Sequence, residues 1–390
     1  MPFRLAILTT HPIQYYAPLF KTLASTKFVE LKVFYTLGDN EHIDVGFGKK
    51  INWDIPLLEG YAYEFLLNSA KDKGSEHFTG IRNPEVVNRI KAFAPDAILI
   101  YGWSYFSHLK TIRYFCGKVP VWFRGDSTLI DPSPFWKKTI RMQILKWVYK
   151  HIDTAFYVGS QNKAYFKAFG INESKLVFAP HSIDNDRFGE DRSNEALALR
   201  KKLGINQNEI LILFAGKFEE KKDPLILLEA FIKLNKSDTH LLFVGNGDLE
   251  KQLKEKVLLN AQDEKALRVH FLDFQNQSQI PVVYQAGNLF CLPSKGPGET
   301  WGLAVNEAMA SGKAILISDK VGCAIDLVKD KENGYIFKSG NLTDLTNKLD
   351  ILTNDIQHLK NMGQYSKKLI KNWSLQKQAE VYIKQIQIAE

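Results

Sequence analysis

Gly296-Pro297-Gly298-Glu299-Thr300-Trp301-Gly302-Leu303-Ala304-Val305-Asn306-Glu307-Ala308-Met309-Ala310 is the stretch on which the reading of this chain turns. It follows an apolar run, Asn288-Leu289-Phe290-Cys291-Leu292-Pro293, that reads as a buried strand. Past Gly298 the residues are good helix formers with an apolar stripe, so a helix is predicted to start near Thr300. A glycine-rich loop feeding a helix start leaves backbone N–H groups without intrahelical partners, at the positive end of the helix dipole. Gly298, Thr300, Trp301, Gly302 and Leu303 are therefore candidates to hold an anion.

Two carboxylates frame that anion site. Glu299 precedes the predicted helix, and Glu307 lies about two turns inside it, roughly 12 Å further along at 1.5 Å per residue. Carboxylates accept hydrogen bonds from hydroxyl pairs, so each could hold one sugar. A ligand with a sugar at either end of a diphosphate is a nucleotide sugar. The competing reading is a solvated Glu299 and a Glu307 favoured only by the helix dipole.

Glu299-Thr300-Trp301-Gly302-Leu303-x-x-x-Glu307-Ala308 resembles the E-x7-E signature of glycosyltransferase family 4, which commonly runs E-G-F-G-L-x-x-x-E-A. Trp301 and Thr300 depart from that pattern. The resemblance implies an α/β chain with the GT-B fold: two facing Rossmann-like, doubly wound domains, with a C-terminal helix crossing back to the first. It also implies a retaining, metal-independent hexosyltransferase that needs no cofactor beyond its co-substrate. A sugar would pass from a nucleoside-diphosphate sugar to a hydroxyl of a saccharide or lipid-linked acceptor, in cell-envelope polysaccharide or glycoconjugate synthesis. A GT-B sugar-nucleotide epimerase and a non-catalytic nucleotide-sugar-binding subunit share the features read so far.

The remaining site residues follow from the same resemblance. Ala215-Gly216-Lys217-Phe218-Glu219-Glu220-Lys221-Lys222-Asp223-Pro224 is similar to the family's G-R-x-x-x-x-K-G segment, which aligns Lys217 and Lys222 with the cations on the leaving diphosphate. Cations there would stabilise the charge gathered as the sugar–phosphate bond breaks. Lys217 lacks the bidentate fork of arginine. Phe271-Leu272-Asp273-Phe274-Gln275 resembles the nucleobase-contacting stretch, with Phe274 over the base or in the core. His11 follows the first strand near the expected donor phosphate, and Asp126 of Arg124-Gly125-Asp126 matches the aspartate beside the donor sugar. Asp184-Asn185-Asp186 is formally a D-x-D triplet at the domain junction, and no metal site is assigned to it. Val244-Gly245-Asn246-Gly247-Asp248 fails as a dinucleotide fingerprint, because Glu250 stands at the third glycine position.

Composition bounds these expectations. A chain of 390 residues, 45% hydrophobic and 24% charged, suits two globular domains. Met1–Thr9 reads as a strand rather than an export signal, and no apolar run reaches the 18 or so residues of a membrane span. Cys116, Cys291 and Cys323 have no metal spacing and fit reduced thiols in a cytoplasmic protein. The net charge of +8 fits small phosphorylated ligands or an anionic membrane surface. Nucleic acid is excluded as a partner for want of any binding module.

Strands are predicted at Arg4–Thr9, Leu31–Thr36, Asp96–Tyr101, Val119–Phe123, Thr154–Val158 and Leu176–Phe178. Helices are predicted around Tyr15–Ser25, Asn83–Phe93, Phe106–Phe115 and Phe135–Lys150. A second strand series comprises Ile210–Phe214, His240–Val244, Val269–Leu272, Leu289–Leu292, Ala314–Ser318 and Tyr335–Phe337. The domains are set at 1–187 with 374–390, on the acceptor side, and 205–373, on the nucleotide-sugar side. The polar segment Asn185–Asn208 reads as a linker between them. The basic helix 135–150 carries a stripe of Ile140, Ile144, Trp147 and Val148 that either packs on the sheet or rests on the inner face of a membrane.

Overall fold

A computed structural model of the chain describes residues 1–38, 52–131, 135–234, 236–260 and 266–389. Its strands are β1 (Phe3–Thr9), β2 (Val29–Tyr35), β3 (Ala62–Phe65), β4 (Ala97–Tyr101), β5 (Val121–Arg124), β6 (Thr154–Tyr157), β7 (Leu176–Phe178), β8 (Ile210–Ala215), β9 (Thr239–Val244), β10 (Val269–Leu272), β11 (Leu289–Leu292), β12 (Ala314–Ser318) and β13 (Gly334–Phe337). The central ones, such as β4 (AILIY) and β8 (ILILFA), are buried along their whole length. Sequences with no polar face belong in parallel sheets covered on both sides, and among the described residues every pair of neighbouring strands is parallel.

The strands form two sheets, of order β3-β2-β1-β4-β5-β6-β7 and β10-β9-β8-β11-β12-β13. The described residues form two compact units: those up to His181 together with the C-terminal residues from Leu375, and those from Ser182 to Ser374. In each sheet the order reverses once, between β1 and β4 and between β8 and β11. Loops at the carboxyl ends of such a strand pair are where open α/β sheets bind ligands.

Alternation along β4 feeds two cores in the first unit. Ile98 and Ile100 face one cluster with Phe123, Tyr165 and Phe166; Ala97, Leu99 and Tyr101 face another with Leu5, Tyr35 and Trp122. The C-terminal helix Leu375–Ala389 lays Leu375, Ala379, Tyr382 and Ile386, spaced four, three and four apart, onto the second cluster. The Tyr382 ring meets Phe156 edge-on at 4.6 Å, and its hydroxyl accepts from Arg124 Nη1 at 3.4 Å. The last helix therefore returns to the first unit, as the resemblance implied.

Four features depart from the sequence reading or add to it. First, β3 was not foreseen: Ala62-Tyr63-Glu64-Phe65 is a half-exposed edge strand, without the apolar run that marks the central ones. Second, residues 182–204, read as a domain end and a linker, belong to the second unit and fold as helices Asn185–Gly189 and Ser193–Lys202. Their polarity is that of surface helices; Arg200 is buried, donating to the carbonyls of Ala286, Asn206 and Glu209. Third, the D-x-D triplet is a helix cap, Asp184 Oδ1 accepting from Arg187 N at 3.1 Å. Fourth, helix Phe135–Tyr149 packs inward through Leu145, Val148 and Tyr149, which leaves Ile140, Ile144 and Trp147 of the expected stripe outside.

Removing the Tyr382 side chain opens a cavity against Trp122 and Phe156 and orphans a bond from Arg124. Tyr382→Ala is expected to cost about 3–5 kcal/mol, the usual range for a buried aromatic cut to alanine. Ile388→Ala, on the exposed side of the same helix, should stay within about 0.5 kcal/mol. Urea unfolding curves of the two variants check this.

Candidate functional site

The helix foreseen near Thr300 begins at Leu303, with Gly302 as its N-cap in the left-handed region at φ 92°. A Cβ on Gly302 would lie 2.8 Å from Val321 Cγ1, so both conformation and space require glycine. The residues before it are held from the side: Gly322 N donates to Glu299 O and Cys323 N to Trp301 O, each at 3.0 Å. A Cβ on Gly322 would come within 1.7 Å of Thr300 O. The loop is thus pinned just ahead of the first-turn N–H groups of Leu303 and Ala304, which have no carbonyl four residues back within the helix. Gly298, in the same loop and also left-handed at φ 91°, is exposed.

Within this loop Glu299 is 8% exposed and 2.5 Å from Lys222 Nζ; Ser294 Oγ donates to the same carboxylate oxygen at 3.0 Å. Burial on its own would raise the Glu299 pKa. The Lys222 ammonium and the bonds from Lys222 and Ser294 outweigh it and hold the carboxyl below its ordinary value. Lys222 ends a short turn, Glu220–Lys222, in the loop after β8, while Glu299 stands in the loop after β11. These are the two strands at the reversal of the sheet order. Lys295 joins the loops a second time, pairing with Glu220 and with Asp223 at 3.8 Å, and its N–H donates to Lys221 O at 2.9 Å.

Glu307 is buried in the second turn of helix Leu303–Ala310, and Tyr284 Oη donates to its Oε2 at 2.8 Å. Trp301 is turned inward, 3% exposed, with its indole N–H donating to Asn306 Oδ1 at 2.9 Å. Its side chain therefore serves the loop rather than a ligand surface. Gly216 and the half-buried Lys217 lie at the end of β8 beside the loop after β9: Gly216 N donates to Val244 O and Phe218 N to Asn246 O. That approach requires Gly245, whose Cβ would fall 2.1 Å from Gly216 O. The Asn246 side chain reaches on to the loop after β10, accepting from Phe274 N at 2.9 Å and so setting the half-buried Phe274 ring.

The structure therefore brings Lys222, Glu299 and the helix start together, with Gly216, Lys217 and Phe274 on adjoining loops of the same sheet end. His11 and Asp126 belong to the first unit. His11 follows β1 with its Nδ1 3.0 Å from Thr10 Oγ1, and Asp126 follows β5; burial of Tyr16 and then the Asp126 charge raise the Tyr16 pKa. Ser294, Tyr284, Asn246 and Asn306 escaped the sequence reading. Each is a polar partner chosen by tertiary approach, and the only available signal was a polar side chain beside an apolar run. Among the described residues no group of three or more His, Cys, Asp or Glu side chains is arranged to hold a metal ion.

Residues 196–369 match the family described as Glycosyl transferases group 1. The D-inositol 3-phosphate glycosyltransferase of Nocardia farcinica is 28% identical over 50% of this chain and 43% of its own length, so less than half of that relative is spanned. The Campylobacter jejuni enzyme named GalNAc-alpha-(1->4)-GalNAc-alpha-(1->3)-diNAcBac-PP-undecaprenol alpha-1,4-N-acetyl-D-galactosaminyltransferase is 24% identical over 72% of this chain and 74% of its own. Among solved structures, Anabaena Alr3699/HepE in complex with UDP superposes with a TM-score of 0.74 at 17% identity, covering 99% of this chain and 100% of that one. The fold is thus that of the GT-B glycosyltransferases, and the residues that match the glycosyl transferases group 1 family include Lys217, Lys222, Glu299 and Glu307.

Proposed function

We propose that this chain is a retaining glycosyltransferase of family 4 type. It moves a hexose-type sugar from a nucleoside-diphosphate sugar to a hydroxyl of a saccharide or lipid-linked acceptor, in the synthesis of a cell-envelope polysaccharide or glycoconjugate. The observation that carries the reading is the Lys222–Glu299 pair beside a glycine-capped helix start, on the two loops at the reversal of the sheet order. In this reading the N–H groups of Gly302 and Leu303, with Lys217 and Lys222, hold the diphosphate. Glu307, oriented by Tyr284, holds the ribose, and Phe274 and Gly216 flank the base and phosphates. Glu299 orients the donor sugar through its hydroxyls, and Asp126 and His11 act from the first unit.

Bond breaking leaves negative charge on the diphosphate, where preorganised cations and amide dipoles lower the barrier without having to reorient. The acceptor hydroxyl attacks on the face that the leaving group vacates, and its proton passes to the departing phosphate oxygen. No metal ion is required. Lys222→Ala should then lower kcat by about 10²–10³, the usual loss when one such group is removed, while Glu307→Ala acts chiefly on donor KM. Release of nucleoside diphosphate from a panel headed by UDP-sugars, with and without saccharide acceptors, measures both. Equal and negligible effects of the two substitutions would sink the assignment.

The same pair makes a prediction about stability. Lys222→Ala leaves the Glu299 charge buried without its counter-ion, a loss of about 3–5 kcal/mol. Adding Glu299→Gln should recover a good part of it, a coupling that a double-mutant cycle in urea reads directly. Because the folded-state pKa of Glu299 lies below its unfolded value, its contribution is complete above the ordinary carboxylate pKa of about 4.3 and is lost as pH falls through the lower folded value. Between about pH 6 and pH 3 the Glu299→Gln variant should accordingly lose less stability than the parent chain.

A further inference from the structure

Three ionisable side chains in the amino-terminal half of the second sheet form a line that the donor site leaves unused. β8 pairs Leu211 with His240 of β9, and β10 pairs His270 with Leu242 of β9. Residues two apart along a strand share a face, so Glu209, His240 and His270 stand diagonally across β8, β9 and β10 on one side of the sheet. Their side chains meet. His240 Nδ1 lies 3.0 Å from His270 Nε2, with the rings inclined by 23° and their centroids 5.3 Å apart. His240 Nε2 is 3.4 Å from Glu209 Oε2, an oxygen that also accepts from Asn206 N at 2.6 Å. His240 is buried and His270 half-buried.

The hydrogen count decides what this line can hold. With the His240 Nε2–H turned to the carboxylate, Nδ1 is left as an acceptor, and His270 Nε2–H donates to it. One added proton is tolerated, because it still leaves a single hydrogen in the gap between the rings. A second sets two N–H groups head to head across 3.0 Å, with two positive charges side by side. The charged groups around the pair are Glu209, Arg268 just before β10, and Arg200 of helix Ser193–Lys202. Burial, with the charges of the two arginines, outweighs the pull of Glu209 and holds His240 below the ordinary histidine value. Burial and the neighbouring His240 bring His270 down to about 4. The closed pair therefore refuses protons that free histidines accept near a pKa of about 6.5. This refusal bears on a weak point of the sheet. β10 is a four-residue edge strand, half-buried throughout, whose one neighbour among the described strands is β9. It runs directly into Asp273-Phe274, where Phe274 N donates to Asn246, so loosening the strand loosens that loop.

We infer that the Glu209–His240–His270 line is a proton-sensitive latch on edge strand β10. It fastens β10 to β9 near neutral pH and releases it in acid, when the parted histidines take up the protons that the closed pair excludes. Nothing in the latch depends on the donor site, so the two can fail separately.

Amide hydrogen exchange of the full chain at about pH 7.5 and about pH 5.5, corrected for intrinsic rates, tests the latch. One pH unit below the free histidine pKa of about 6.5, each excluded proton raises the opening equilibrium about tenfold. Protection of Val269–Leu272 should therefore fall at least tenfold more than that of Ile210–Ala215 in β8 over this interval. In His270→Gln, whose carboxamide N–H can still donate to His240 Nδ1, that difference should shrink about tenfold. The urea midpoint of the same variant should also drop less than that of the parent between the two pH values. His108 and His181 of the first unit, likewise held low by burial, are common to both chains and cancel in that comparison. In the parent chain alone, β10 protection that falls no more than that of β8 would overturn the latch, whether or not the variant folds. An unchanged difference in His270→Gln would do the same.

Discussion

A lysine and a glutamate 2.5 Å apart with little water around them set the terms for the second unit. Desolvating two charges costs several kcal/mol each, recovered only when geometry and surrounding hydrogen bonds are good. Here Ser294 completes the carboxylate, and Lys295 with Glu220 and Asp223 ties the same two loops again a short distance away. The pair therefore adds less to net stability than to choice of arrangement. Any movement of the loop after β8 relative to the loop after β11 would expose one buried charge without its partner.

That the two side chains meet at all is a property of the sheet. Lys222 and Glu299 are far apart in sequence, and they become neighbours because β8 pairs directly with β11 through Leu289↔Ile212 and Phe290↔Leu213. Parallel strands send all their carboxyl-end loops the same way, so reversal of the order at this pair places two loops side by side with no helix between them. Close approach then depends on missing side chains. Gly245 lets the loop after β9 rest against Gly216, and Gly322 lets the loop after β12 rest against Thr300. Polar satisfaction finishes the assembly through Asn246 and Ser294.

This division explains how much of the molecule was legible in the sequence. Continuous apolar runs gave away the central strands to within a residue or two, since a strand buried on both faces has no other way to be written. The glycine-to-helix transition marked the start of a helix, and only its register shifted, because Gly302 rather than Thr300 takes the capping conformation. Segments whose burial is partial were read poorly. β3 lies on an edge, residues 182–204 are surface helices whose polarity imitates a linker, and helix Phe135–Tyr149 carries apolar residues on two faces, of which periodicity alone cannot name the buried one. Tyr284 and Asn306 could not be found by spacing, because what recruits them is a carboxylate and an indole arriving from elsewhere in the fold.

The departures from the E-G-F-G-L pattern are informative in the same light. A phenylalanine at position 301 could be buried without further provision, whereas a tryptophan brings an N–H that must find an acceptor once water is excluded. Asn306, on the helix that the loop introduces, accepts that bond, so the larger ring is accommodated by a partner five residues away. Thr300 stands where that pattern has glycine, at a point where its backbone carbonyl faces Gly322. Lys217 exchanges a planar fork for a compact ammonium on a loop held at both ends by backbone bonds to Val244 and Asn246. In each case the substitution falls where the neighbouring backbone or one side chain can absorb it. Lys222, Glu299 and Glu307 have no such latitude: each is an ionisable group at a mostly buried site, where a change of charge or length would leave its partner unsatisfied.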